Sequence, residues 1–342
     1  MDALKNLRVG VIGAGIRGRM FADTIAGTPG AEFIGFVDPV IHAGTKILIR
    51  GSESVVFPQA GDLFRSTDVD AVVIATPDFL HADLVVESAR HGAAILLEKP
   101  IATTEEDTER IRAAVVESGV YCMVAFENRW NTAFVKIHDL VASGAAGKPV
   151  FQAARLSNTY WVPTKMLSWA SQSSPLWFLL PHTVDLVQWV AGSRIAKVTA
   201  VGTRGLLAAR GIDTWDVVHV IATLEDGSTA ALTSAWVLPE GHPAPVDFTY
   251  EFVGEKQSAF TDVGRNGVQF YGSAHRTEGI LDGVFDGSNS AAPAWMTRRF
   301  LADLREGRSP ETPLADGIAV NEVLFAIERS LQTGLPQAVH RR

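Results

Sequence analysis

The sequence predicts an α/β chain in two parts: a parallel sheet interleaved with helices, then a domain on an open, mostly antiparallel sheet. Three observations predict it. Apolar, β-branched strands alternate with amphipathic helices as far as residue 125, as a parallel sheet requires. A glycine-rich turn, Gly13-Ala14-Gly15-Ile16-Arg17-Gly18, separates the first strand from the first helix. Beyond residue 149 the strands lengthen and alternate inward and outward, with a hairpin signal at Glu225-Asp226-Gly227-Ser228. The expected domains are residues 1–125 and 126–342.

The first part begins with Leu7 to Ile12 as a strand, the glycine turn, and a helix over Arg19 to Ala26. A second strand, Phe33 to Val37, ends at Asp38, twenty residues beyond Gly18. Asp70 to Ala75 is the next strand, ending at Thr76-Pro77. His81 to His91 follows as a helix closed by Gly92. Ala93 to Leu97 is a strand ending at Glu98-Lys99-Pro100. Thr104-Glu105-Glu106-Asp107 opens a helix with acids in its first turn, where the helix dipole favours them. Tyr121 to Ala125 completes the sheet.

In the second part a helix over Asn131 to Ala142 precedes a Gly147-Lys148-Pro149 turn. Strands follow at Val217 to Leu224, Thr229 to Val237, Phe248 to Val253, Ser258 to Asp262 and Val268 to Tyr271. Helices over Ala294 to Arg305 and Ala315 to Gln332 close the chain. Ser157 to Pro181 is long and aromatic, and its middle lacks a clear period, as functional loops often do. His182 then opens a helix, Thr183 to Val190.

The glycine turn is a dinucleotide signature. Gly13 permits the turn, Gly15 lets backbone approach a pyrophosphate, and Gly18 lets helix and strand pack closely. The phosphates would sit at the helix N-terminus, among unpaired N–H groups. Asp38 accepts hydrogen bonds from the ribose hydroxyls and repels a 2′-phosphate, and Pro39-Val40-Ile41 supply no cation to neutralise one. NAD is therefore expected over NADP. Ligands of open α/β sheets bind beyond the carboxyl ends of strands, so Thr76-Pro77 and Glu98-Lys99-Pro100 should face the coenzyme.

Composition limits the alternatives. Of 342 residues, 47% are hydrophobic and 20% charged, which suits an ordinary globular protein. The net charge of -8 argues against nucleic acid. No apolar run has membrane-spanning length. The apolar stretch after Lys5 and Arg8 superficially resembles a secretion signal, but it serves better as the first strand and no small-residue cleavage site accompanies it. Cys122 is the single cysteine, so no internal disulfide forms and a cytoplasmic home is expected. Cys122 reads as a small buried residue in a strand. No metal is expected.

Four segments together resemble the Gfo/Idh/MocA oxidoreductases, relatives of glucose–fructose oxidoreductase and inositol dehydrogenase. They are Gly13-x-Gly15-x-x-Gly18, Ala75-Thr76-Pro77-Asp78-Phe79-Leu80-His81, Glu98-Lys99-Pro100 and His182-Thr183-Val184-Asp185. The likeness extends over essentially the whole chain, including the order of a Rossmann domain before an open-sheet domain. It implies nicotinamide-dependent oxidation or reduction of a secondary alcohol on a sugar, inositol or similar polyol. Ile16, Arg17 and His81 join the coenzyme-side residues on this basis.

Lys99 leaves its strand toward the cleft, where an ammonium would polarise a substrate oxygen and stabilise alkoxide charge. The alternative is a lysine reaching to solvent. His182 can take a proton near neutral pH. Asp185, three residues on along the same helical face, could orient it or pair with it; the alternative is a helix-end histidine beside an ordinary acid. Arg129, in Asn128-Arg129-Trp130, matches a family segment near the domain junction and is either a substrate contact or a structural ion pair.

One departure from the family stands out. An aspartate usually lies four residues before the histidine, as Asp-x-Gly-x-His; this chain has Phe178-Leu179-Leu180-Pro181-His182. Either His182 works with Lys99 alone, or Tyr160, Asp185 or Asn158 moves in. Phe178 would also desolvate its surroundings and favour a neutral base. All eight tryptophans lie beyond residue 125. Trp161, Trp169 and Trp177 could pack on a sugar face or on the core, whereas Trp189, Trp215 and Trp236, placed in regular elements, read as core.

The expected activity is an NAD-dependent dehydrogenase of a carbohydrate or cyclitol. Two alternatives stay open: a glycoside-cleaving enzyme that retains its NAD, and a sensor that kept the fold and lost turnover. The exposed face of an open sheet suggests a homodimer or homotetramer.

Overall fold

A computed structural model describes residues 6–41, 45–263, 267–271, 275–279 and 291–341. The chain forms two compact units, Met1–Glu127 with Ser290–Ile318, and Asn128–Asn289 with Ala319–Arg342.

The first unit holds β1 (Leu7–Ile12), α1 (Ile16–Ala26), β2 (Ala31–Val37), a small hairpin of β3 (Ile47–Ile49) and β4 (Ser52–Ser54), and β5 (Val56–Phe57). Then come α2 (Ala60–Ser66), β6 (Ala71–Ile74), α3 (His81–Arg90), β7 (Ala94–Leu97), α4 (Glu105–Ser118) and β8 (Cys122–Val124). The main sheet runs β5-β2-β1-β6-β7-β8 and every pairing in it is parallel. β6 and β7 are buried throughout, the pattern of strands covered on both faces. α4 starts where its sequence says: Thr104 Oγ1 accepts from the Asp107 N–H at 3.1 Å, and Gly119 ends it at φ 66. α1 starts three residues earlier than expected, because the last residues of the glycine turn are already helical.

The second unit contains α5 (Thr132–Ala142), β9 (Pro149–Thr159), α6 (Pro175–Phe178), α7 (Leu180–Ala191), β10 (Ile195–Thr203), β11 (Val217–Leu224) and β12 (Thr229–Leu238). β13 (Val246–Gly254), β14 (Ser258–Asp262), β15 (Gly267–Tyr271) and β16 (His275–Gly279) extend its sheet. α8 (Ala291–Glu306), α9 (Leu314–Thr333) and β17 (Gln337–Ala338) end the chain. The nine strands run β16-β15-β14-β13-β9-β12-β11-β10-β17, antiparallel except for the parallel β12–β9 pair.

β9 lies at the centre of this sheet, and its last residues, Ser157 to Thr159, belong to a strand and not to the irregular stretch expected there. α7 opens at Leu180, so His182 sits within its first turn and not before it. Gln152 fastens α7 to the sheet: its Nε2 donates to the Val187 carbonyl at 3.2 Å while its Oε1 accepts from the buried Tyr250 hydroxyl.

α8 belongs to the first unit. The Val124 N–H donates to the Thr312 carbonyl at 2.8 Å, the Thr312 hydroxyl donates back at 2.6 Å, and Tyr121 donates to Asp303 at 3.2 Å. Among the described residues no helix is long and apolar enough to cross a membrane.

Candidate active site

The coenzyme side is built on the β1–α1 turn. Gly13 has φ +99, and a Cβ there would stand 2.5 Å from the Ala75 carbonyl oxygen. A Cβ on Gly18 would stand 1.8 Å from the Gly13 carbonyl oxygen. Gly15 is the opposite case, since nothing lies within 4 Å of where its Cβ would be. Gly15 caps α1 with no side-chain hydrogen bond, and the first turn of α1 carries no acid. The helix thus begins with no side-chain cap and no acid in its first turn, beside open space at Gly15, as an anion site needs.

Asp38 is oriented by the same turn. One carboxylate oxygen accepts from the Ala14 N–H at 3.0 Å and the other from the Val40 N–H at 2.9 Å. Thr76 follows β6, and its buried hydroxyl oxygen has no hydrogen-bond partner. An orphaned buried hydroxyl costs on the order of 1–3 kcal/mol, which a bound polar ligand would recover. The open Gly15, the uncapped helix, the placed carboxylate and the waiting hydroxyl fit a dinucleotide. Pro77 follows Thr76 into the turn before α3, and Ile16, exposed, stands beside Gly15.

Three residues expected on the coenzyme, His81, Arg17 and Glu98, are engaged within the protein. His81 is buried, with Nδ1 2.9 Å from the Pro100 carbonyl oxygen and Nε2 3.2 Å from that of Thr76. It ties together the two strand-end segments, and burial lowers its pKa against the pull of Asp78. The Arg17 guanidinium meets Glu98 at 2.6 and 2.7 Å and Glu127 at 3.3 Å. Burial opposes its charge, but Glu127 and Glu98 outweigh burial and hold it above its ordinary pKa.

Lys99 stands beside this cluster. Its own N–H donates to the other Glu98 oxygen at 3.2 Å, and the Lys99–Pro100 peptide is cis. Burial lowers the ammonium pKa; Glu98 and Glu127 pull it back, while Arg17 adds to the lowering. Sequence reasoning missed Glu127, which no local pattern connects to Arg17.

The second unit brings a different group together. His182 Nδ1 lies 3.3 Å from the Asn128 amide nitrogen. Asp185 is buried, and its two oxygens accept from Arg129 at 3.1 and 2.5 Å, a bidentate fork. The ion-pair alternative for Arg129 is what the structure displays. Asp185 pairs with Arg129, whose guanidinium matches both carboxylate oxygens. Asn128 was not among the expected residues.

Phe178 lies between Trp169, 6.1 Å away, and Trp236, 5.6 Å away by ring centroids. Asn158 is buried in β9; its Nδ2 donates to the Pro245 carbonyl at 3.4 Å, and its Oδ1 has no partner. Tyr160 has the Arg210 guanidinium 4.1 Å over its ring. Trp177 is buried against Phe325, 5.5 Å between centroids, so it packs in the core. Trp161 is exposed. Trp236 is fully buried, as a core residue, whereas Trp189 is half-buried and stacks on His138. Trp215 differs from expectation: it lies outside any helix or strand, half-buried, beneath the Arg204 guanidinium. Among the described residues no group of His, Cys, Asp and Glu could hold a metal ion.

Comparison with known proteins agrees with this architecture. Residues 7–126 match the GFO_IDH_MocA oxidoreductase family with its NAD-binding Rossmann fold, and residues 134–260 match the GFO/IDH/MocA C-terminal domain. An inositol 2-dehydrogenase of Rubrobacter xylanophilus is 30% identical over 341 residues, covering 98% of this chain and 94% of the relative. A scyllo-inositol 2-dehydrogenase (NAD(+)) of Bacillus subtilis is 23% identical, covering 96% of this chain and 95% of the relative. Among solved structures, a levoglucosan dehydrogenase in complex with NADH superposes with a TM-score of 0.87 at 21% identity, covering 99% of this chain and 100% of the other.

Proposed function

Because the chain belongs to the GFO/IDH/MocA family of NAD-binding oxidoreductases, we propose that it oxidises a secondary alcohol of a cyclitol or sugar and reduces the ketone in the reverse direction. What supports the substrate class is the match over nearly the full length of two inositol dehydrogenases. The observation that carries coenzyme use is the open space at Gly15, at an uncapped helix start beside the Asp38 carboxylate. When bound, NAD supplies the nicotinamide that accepts a hydride.

The glycine turn and the α1 N–H groups would hold the pyrophosphate, Asp38 the adenosine ribose, and Thr76 a polar edge of the coenzyme through its hydroxyl. Asp38 excludes a 2′-phosphate by charge. Arg17 holds Glu98 and Glu127 and through them the ground beside Lys99. The Lys99 ammonium would hold the carbinol oxygen and stabilise negative charge as the proton leaves. Its lowered pKa makes that ammonium a better hydrogen-bond donor to a developing alkoxide. His182 would take the hydroxyl proton. Arg129 and Asp185 fix the turn and helix that carry Asn128 and His182, while Asn158 and Tyr160 remain the polar candidates for substrate hydroxyls.

A panel of cyclitols and sugars assayed for NADH formation tests this reading, repeated with Lys99→Ala and His182→Ala. Turnover of a polyol, lost in both variants with NADH binding kept, is the expected result. Wild-type rates in both variants would refute the roles. A homodimer or homotetramer is proposed from the open sheet face, and light scattering of the purified protein tests it.

A further inference from the structure

We infer that Asn128 is the positioning residue for His182, its side-chain amide holding the ring through Nδ1 and able to meet that nitrogen with or without its hydrogen. This rests on the reading of His182 as the proton acceptor. Asn128 lies in the turn Glu127–Trp130, and its carbonyl accepts from the Asn131 N–H at 3.1 Å where α5 begins. The same turn reaches α7 twice. Asn128 meets His182 at 3.3 Å, and the next residue, Arg129, forks onto Asp185 one helical turn further along. The buried ion pair therefore holds the amide and the ring in register.

The chemistry follows from counting protons. A neutral imidazole carries one N–H. To take a proton from a hydroxyl, the nitrogen facing substrate must bear a lone pair, so the N–H must be on the other nitrogen. With the Asn128 NH2 toward the ring, Nδ1 accepts and the hydrogen sits on Nε2. With the amide turned so that Oδ1 faces the ring, Nδ1–H donates and Nε2 bears the lone pair. Once Nε2 has taken the hydroxyl proton, while hydride leaves the carbinol carbon, Nδ1–H still finds Oδ1 as acceptor. An amide serves both states by rotation. A carboxylate at this place would only accept, and would stabilise the imidazolium.

The charges on the neighbouring elements have partners of their own. Arg129 and Asp185 are joined to each other, and Glu127 pairs with Arg17. On α5, His138 stacks on Trp189 and bonds Asp139, with Lys136 one turn before Leu140 on the same helix. On β9, Arg155 pairs with Asp247. α6 and β12 carry no ionisable side chain.

The test uses the full-length protein and its Asn128→Asp and Asn128→Leu variants. Two readouts are taken: the NMR titration of the His182 imidazole, assigned by its loss in His182→Ala, and the pH dependence of kcat/KM for NAD-linked oxidation of the best panel substrate. Asn128→Asp should move the titration midpoint and the acid limb upward together by about 1–3 pH units. Asn128→Leu should lower kcat by roughly 100-fold or more, with the NADH Kd unchanged. An unmoved midpoint in Asn128→Asp, or a wild-type kcat in Asn128→Leu, overturns the inference. Should Asn128→Leu fail to fold, the isosteric Asp variant decides alone. A midpoint that moves while the acid limb stays supports the pairing and instead removes His182 as the proton acceptor.

Discussion

Alanine at Gly15 and alanine at Gly18, made separately, should divide coenzyme binding from folding. No heavy atom lies within 4 Å of a Cβ on Gly15, and its φ of -70 suits any residue. Alanine is a poorer helix cap than glycine by under about 1 kcal/mol. Loss of glycine freedom in the unfolded chain returns about 0.4–1 kcal/mol. The two nearly cancel, so the melting temperature should stay within a few degrees. The new methyl nevertheless occupies the ground a pyrophosphate needs. Displacing even one charge-assisted contact costs about 1.5–3 kcal/mol, or roughly 10–100-fold in NADH affinity. Gly18 behaves differently, because its Cβ would overlap the Gly13 carbonyl oxygen at 1.8 Å. That oxygen is backbone and cannot rotate away, so overpacking of about 1–3 kcal/mol or more falls on the fold itself. NADH fluorescence titration and thermal unfolding without coenzyme read the two quantities. If Gly15→Ala binds NADH as tightly as the parent, or melts as early as Gly18→Ala, the reasoning about the turn is wrong.

Arg129→Ala leaves the buried Asp185 carboxylate without its fork and should cost about 3–5 kcal/mol in chemical denaturation. Arg129→Met combined with Asp185→Leu should recover most of that loss, since no lone charge then remains buried. Lys99→Ala should lower kcat by roughly 100- to 1000-fold while NADH binding persists, measured by stopped-flow and titration. The Lys99 pKa is lowered below 10.5 by burial. Activity that needs the ammonium is present below that lowered pKa and lost as pH rises through it. The alkaline limb of kcat/KM attributable to Lys99, identified by its absence in Lys99→Arg, should therefore lie below 10.5. Asp38→Ser should weaken NAD about 10–100-fold and narrow the gap to NADP, read from paired Kd values.

β1, β2, β6, β7 and β8, with α3 and α4, were legible because their signals are local, whereas the short β3, β4, β5 and α2 between residues 47 and 66 were not. Leu7 to Ile12 carries its apolar pattern to the residue where β1 stops, and Thr104 with three acids marks the start of α4. β9 was not legible: Gln152, Ser157, Asn158 and Thr159 are polar yet buried, which erases the expected alternation. The burial of Gln152 is tolerable because its partners, Tyr250 and Val187, come from distant elements. The return of α8 to the first unit has no local signature, Tyr121 meeting Asp303 across 182 residues. In the site, the residue types Lys99, His182, Arg129 and Asp185 could be picked out, but their partners could not. The spacing of Asp185 three residues after His182 suggested a pair on one helix face. Arg129, 56 residues away, reaches that carboxylate with two parallel donors that no local pattern announces. Arg17 likewise lies 81 residues from Glu98, so its place in an ion-pair cluster is invisible inside a glycine turn.

Transfer of a labelled hydride tests the central claim most directly. The best panel substrate, deuterated at its carbinol carbon, is incubated with the enzyme and NAD, and the reduced coenzyme is examined by mass spectrometry. The account predicts one deuterium in each NADH, formed in step with one ketone. Substrate consumed with no labelled NADH, or NADH formed without the label, would contradict it.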